Sequence, residues 1–220
     1  MTKYMNAGDI LKRYASGERD FSGIKVKGEN KSCANLSDAN LSDANFSSVN
    51  LSGVNFSNAN LTNANFNRAN LSHANFSGAN LTEAKLNRCN LIAVNMNAAN
   101  LTCADLDSTC LMDANFIGAY MDRAYLRCAD LGGSLLRDAN LKYANFTGAS
   151  LIWIKLDGTD MRYADLADAT LFDSYINNVK PSLLNLESAI PLDTTNKEGT
   201  HLFNTIMPDG DVIEVSIYLK

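Results

Sequence analysis

The chain has 220 residues, 46% of them apolar and 20% charged, with a formal net charge of -5. That length can bury a sizeable core as one domain, no apolar run approaches the roughly 18 residues of a membrane helix, and the acidic balance disfavours binding of phosphate backbones by a broad basic surface. The five cysteines, Cys33, Cys89, Cys103, Cys110 and Cys128, show no CxxC spacing and read as free thiols rather than a zinc or disulfide framework.

At the start, MNAGDILKRYAS (5–16) carries Met5, Ile10, Leu11 and Tyr14 at near-helical spacing, which predicts a short amphipathic helix. The opening residues contain neither a continuous apolar stretch nor a small-residue cleavage pattern, so a cytoplasmic location is expected. Phe21, Ile24 and Val26 then enter a five-residue phase that is disturbed around Lys31.

From residue 34 the phase is strict. Centres every five residues from Leu36 to Ile176 give 29 units, with Leu at 19 of them, Phe at 6, Met at 3 and Ile at one. Two residues before each centre stands Ala in 20 units, and between the two stands Asn in 16 and Asp in 4. Neither a helix period of 3.6 nor a strand period of two explains this. Two inward residues separated by one outward residue, then a polar pair, describe a very short strand followed by a turn. A chain that turns in one sense every five residues winds into a solenoid whose coils bond to those above and below. Phe46, Phe56, Phe66 and Phe76 alternate with leucines, and Leu51, Leu71, Leu91, Leu111, Leu131, Leu151 and Leu171 form one all-leucine series. Four units per coil stack like on like, so the coil is expected to be square with about 20 residues. The Asn-x-Ser/Thr triplets at Asn35, Asn40, Asn45 and Asn50 are by-products of the repeat and are not read as glycosylation sites.

Beyond Ile176, Leu184, Leu186 and Ala189 keep phase before the polar stretch DTTNKEGT (193–200). The Pro-Asp-Gly turn at 208–210, followed by alternating Val, Glu and Ile, predicts a terminal strand or hairpin arm. The expected division is a helical cap over 1–20, the repeat over 21–191 (in strict phase over 34–178), and a C-terminal loop and capping strand over 192–220.

The units ANLSD (34–38), ANLTN (59–63), ADLDS (104–108) and ANFTG (144–148) resemble the pentapeptide-repeat family consensus A-(N/D)-L-x-x. The resemblance implies an all-β fold, a right-handed quadrilateral parallel β-helix of about seven coils with a short N-terminal helix cap and a C-terminal cap. The leader GDILKRYASGERDF is similar to that of cyanobacterial members which work through protein contacts.

The sequence presents no catalytic constellation. His73 sits outward in the repeat, His201 lies near the C-terminus, neither has metal or nucleophile spacing, and a packed rod offers no substrate pocket. No enzyme activity, cofactor or metal is expected, and function is expected on the outer surface. Sorted by 20 residues, the position after the leucine series reads Ile92, Met112, Gly132, Ile152 and Phe172, with Trp153 beside Ile152 and Leu135 and Tyr175 on the neighbouring edge. Such an apolar stripe marks a contact surface, for another protein or a second copy, unless the C-terminal arm folds over it. Tyr143 and Tyr163, with Tyr120 and Tyr125, form a second outward cluster. The leading expectation is a non-enzymatic interaction scaffold, with no direct nucleic-acid or membrane contact.

The alternative, after the gyrase-protecting members of the family, is a DNA mimic that binds a topoisomerase. Residues 34–178 carry 14 acidic and 9 basic side chains, hence 9 minus 14, or -5. A duplex as long as seven coils, roughly 34 Å, carries about 20 phosphate charges. A third candidate, an ice-binding column, rests on Ser42, Thr62, Thr82 and Thr102 stacked on one side.

Overall fold

A computed structural model describes residues 3–27, 34–171, 174–177, 200–203, 205–206, 212–213 and 217–219. Its organising feature is the way one five-residue unit disposes of five N–H groups. In the unit 55–59, Asn55 N–H donates to the Ala34 carbonyl at 2.8 Å, one coil back, and Phe56 N–H to Asn75 at 2.7 Å, one coil on. Asn58 N–H donates onward to Ser77 at 2.9 Å, and Ala59 N–H closes the turn on Phe56 at 3.0 Å. Only the Ser57 N–H finds no carbonyl, and the Oδ1 of Asn55 accepts it at 3.0 Å. Asn and Asp are the residues whose side chains reach the backbone two positions on.

The third turn residue lies in the left-handed region, with φ from 53° to 64° at the non-glycine corners of 34–171. Gly, Asn and Asp take that conformation at least cost, which accounts for the Asp38, Asn58 and Gly78 series at one corner.

Each middle residue bridges the one 20 positions on in parallel, Asn35 to Asn55, Asn55 to Asn75, and so to Ser150 with Thr170. Twenty residues at five per side make four sides. The first carries centres Leu41 to Met161, the second Phe46 to Leu166, the third Leu51 to Leu171 and the fourth Leu36 to Leu156. From Leu36 to Leu171 every centre is buried. Phe46 stacks on Phe66 at 5.0 Å between ring centroids and Phe56 on Phe76 at 5.1 Å, while Phe56 and Phe66 meet edge to face at 5.9 Å. Four polar residues replace the small inward residue without leaving an orphan. Ser134 and Ser174 donate to the Leu111 and Leu151 carbonyls of the coil below, and Thr109 and Thr159 to their own turn carbonyls. Cys89 donates its thiol to the Phe66 carbonyl at 2.9 Å, and burial pushes its pKa up to about 12. Among the described residues the cysteines are free.

The N-terminus differs from the predicted helix over 5–16. Strand β1 (Lys3–Asn6) pairs in parallel with β2 (Ile24–Lys27), placing Met5 beside Val26, and the helix α1 runs Ala7–Ala15. Asn6 starts it as N-cap, its side chain accepting from Asp9 N–H at 2.8 Å. Ile10 is buried in the core, and Tyr14 donates its hydroxyl to the Ser37 carbonyl at 2.9 Å. Phe21 and Ile24 are buried, and Asp20 bridges Asn40, so the coil pattern already holds there. The disturbed unit at Lys31 lies outside the described residues.

At the far end β3 (Tyr175–Asn177) pairs in parallel with β4 (Thr200–Phe203). Strand β5 (Thr205–Ile206) pairs antiparallel with β6 (Val212–Ile213), and β7 (Ile217–Leu219) antiparallel with β4. Strands β4 and β7 thus extend the sheet that Tyr175 begins, and β5 with β6 forms a separate pair. Residues 178–199 and the Pro-Asp-Gly turn lie outside the described residues.

Asn75 shows what the middle position contributes. Its Oδ1 accepts from Ser77 N–H and from Asn95 Nδ2, and its own Nδ2 donates to Asn55. Asn75→Ala is expected to destabilise the rod by about 2 kcal/mol, a fall of roughly 4 to 8 °C in melting midpoint. An unchanged midpoint would show that the side chain is not a structural acceptor.

Candidate interaction surface

The outer surface changes along the rod at the corners and at the middle position alike. Up to Asn80 that position is Asn throughout from Asn35, and its amides form ladders such as Asn35, Asn55, Asn75 and Asn95. From residue 110 on, Cys110, Tyr120, Tyr125, Leu135, Ser150, Lys155 and Thr170 take it. Apart from Tyr4 at the N-terminal end, 53% exposed, the exposed aromatic side chains among the described residues gather in the same half. Trp153 is 60% exposed, Tyr120 57%, Tyr125 48%, Tyr143 47% and Tyr163 44%.

The sequence-predicted residues fall into two groups. On the third side, Ile92 and Ile152 are half-buried and Met112 is 38% exposed. Gly132 interrupts the column, and the Met112 Cγ comes within 3.9 Å of where its Cβ would stand, so Met112 continues the apolar strip towards Ile152. Trp153 occupies the corner between the third and fourth sides, at φ 56°. Leu135, half-buried, bridges Asn115 and Lys155 on the fourth side. Phe172 lies outside the described residues. Tyr175 is placed by its backbone alone, in β3.

Tyr143 and Tyr163 stand at the corner between the first and second sides. Ten residues is half a coil, so this corner is diagonally opposite Trp153, and the two groups do not form one surface. The two tyrosine rings stack at 4.7 Å and 4°, and the Arg123 guanidinium lies 5.3 Å from the Tyr143 ring. Tyr with Arg is the composition of interface hot spots.

Beside that corner is a charge cluster that the sequence reading missed. Asp160 accepts from Arg162 Nε at 2.8 Å and Nη2 at 2.6 Å, and Lys142 Nζ stands 3.2 Å away. The Arg162 bonds, with Lys142 behind them and against partial burial, hold the Asp160 pKa at about 2. The 20-residue spacing of Lys142 and Arg162, and of Asn140 and Asp160, was the available signal. On the second side Arg127 grips Asp107 of the coil below through Nε and Nη2, at 2.8 and 2.5 Å. In the threonine column, Thr62, Thr82 and Thr102 each donate to the Asn two residues back, so those hydroxyls are committed within the unit.

The inside of the rod is filled by side chains. A cavity of about 10 Å³ at the N-terminal end, beside Ile10, Leu36 and Phe46, is lined by apolar residues. Among the described residues no helix is long and apolar enough to cross a membrane, and no three His, Cys, Asp or Glu side chains are grouped to hold a metal.

The pentapeptide-repeat family profile matches residues 39–78, 79–118, 114–151 and 134–173. The chain belongs to the pentapeptide-repeat family, whose members fold as right-handed quadrilateral β-helices. Among solved structures, QnrB1, a plasmid-mediated fluoroquinolone resistance protein, is 19% identical over 93% of each chain with a TM-score of 0.56. HetL of the cyanobacterium Nostoc sp. strain PCC 7120, involved in heterocyst differentiation regulation, is 28% identical over 94% of this chain and 99% of its own, with a TM-score of 0.44. A second pentapeptide-repeat protein of Nostoc, alr5209, is 27% identical over 48% of this chain and 84% of its own, with a TM-score of 0.44. No curated protein matches the sequence.

The Asp160 cluster yields a pH test. A folded pKa of about 2 against an ordinary 3.8 means that the carboxylate adds stability above pH about 4 and loses it as pH falls through about 2. The stability gap between wild type and Asp160→Asn is expected to be on the order of 1 kcal/mol at neutral pH, given the partial exposure. It should close below pH about 2. A gap independent of pH would show that the ion pairs contribute nothing.

Proposed function

We propose that the protein is a non-enzymatic interaction scaffold, a rod that presents the outer sides of its C-terminal half to another protein. The observation that carries the reading is the appearance of apolar and aromatic side chains on the exterior of the C-terminal half, Met112, Tyr120, Tyr125 and Leu135 among them, with Trp153 60% exposed. Trp153 stands at a left-handed corner beside an apolar strip, and an exposed Trp in an apolar patch is a typical interface anchor. The docking face in this reading is the third side and its corner, Ile92, Met112, Ile152, Trp153 and Phe172, continued by Leu135 and Tyr175. Tyr143 and Tyr163 form a separate contact.

In the same reading residues 1–20 cap the N-terminal end, the β-helix runs over 21–191 with about seven coils in strict phase over 34–178, and 192–220 cover the other end. The free cysteines suit a reducing, cytoplasmic setting. The DNA-mimic alternative is weaker, because the rod has fewer acidic side chains than a duplex of its length has phosphates, and two of them, Asp107 and Asp160, are held by Arg127 and Arg162.

Three full-length baits test it in lysate of the source organism, wild type, Ile152→Asp/Trp153→Ala, and Tyr143→Ala/Tyr163→Ala, each confirmed as folded. A partner held by wild type, lost at least tenfold by the first variant and retained by the second is expected. Equal recovery by all three would remove the function from this face.

A further inference from the structure

Charge on the second side is banded along the rod. Unit 84–88 puts Lys85 in the middle column and Arg88 at the following corner, both exposed, and unit 164–168 puts Asp165 and Asp168 in the same two columns. Among the described residues no carboxylate forms an ion pair with Lys85 or Arg88, and no cation with Asp168. Four coils separate the bands, about 19 Å, so one chain cannot bring them together. Between them lie Asp105, half-buried and next to Lys85 in the middle column, where it would face the neutral Asn145 of an antiparallel copy, Tyr125, 48% exposed, the Asp107–Arg127 pair, and the neutral Thr147.

We propose that this side is self-complementary and docks against the same side of a second copy, with the two rods antiparallel. A two-fold axis along the strand direction, at the level of Tyr125, reverses the order of coils and keeps the columns. Lys85 then faces Asp165 and Arg88 faces Asp168, in two symmetric sets, and Tyr125 faces its own copy. Arg127 also meets its copy at the axis, but each guanidinium is neutralised by its own Asp107. Asp165 keeps its bonds from Ala167 N–H and the Thr147 hydroxyl and retains acceptor capacity. A parallel arrangement would oppose like bands, so the charges select the antiparallel one. One narrow side offers less than the roughly 800 Å² per partner of a standard interface, so the association is weak and depends on salt. The surface is separate from the third-side stripe and does not rest on it.

Sedimentation equilibrium of the full chain tests this at about 0.05 M and about 0.5 M salt. A dimer is expected at low salt, with its dissociation constant raised at least tenfold at high salt. Arg88→Asp and Asp168→Arg should each abolish it, and the double reversal R88D/D168R should restore it. These corners suit the exchange, since Arg68 and Asp113 occupy equivalent ones at φ 61° and 58°. A monomer at every concentration, a dimer that the single reversals leave intact, or a folded double reversal that fails to dimerise would each overturn the proposal.

Discussion

The fold depends on one hydrogen bond per unit, from the first turn N–H to the carboxamide or carboxylate oxygen two residues earlier. Four of the five N–H groups find carbonyls, and the fifth is left pointing into a turn too tight to supply one. Asn and Asp fill that gap in most units between Asn35 and Asp165, with donor-to-oxygen distances near 3 Å in units such as Ser57 with Asn55 and Ala167 with Asp165. A coil that closes all its donors can stack without a long strand, and four such units enclose a core of one large and one small residue per side.

Loss of that acceptor is tolerated once neighbouring coils hold the register. Leu135 and Lys155 still bridge along the fourth side, and Tyr120 and Tyr125 along theirs. Freed from serving the backbone, those positions carry side chains that add nothing to the ladder. At those middle positions the C-terminal half exchanges local hydrogen bonds for aromatic and apolar side chains, whereas the corner residues Tyr143 and Tyr163 sit in units whose Asn140 and Asp160 still accept from the turn N–H of Lys142 and Arg162. Surface chemistry and structural chemistry thus compete for the same columns.

Much of this was legible in the sequence because the inward columns are periodic. Phe46 over Phe66 follows from a 20-residue coil and is seen as a ring stack. Strand β1 was not legible, since Met5 reads equally as part of the helical stripe and only parallel pairing with Val26, 21 residues away, draws it out. The surface was half legible. Sorting by 20 placed Ile92, Met112 and Ile152 in one column but did not reveal that the tyrosines stand at the diagonal corner. It also left the Asp160 grip unseen: the 20-residue spacing stacks Lys142 under Arg162, but that both reach across to the column of Asp160 is settled by side-chain conformation.

Residue-resolved amide exchange tests the central bond most directly. Turn amides that follow Asn or Asp, such as Ser57, Ser77 and Ile117, should be protected far above those that follow other residues, such as Asn87 after Lys85 and Arg137 after Leu135. Equal protection in both sets would contradict the claim that the side-chain oxygen completes the unit.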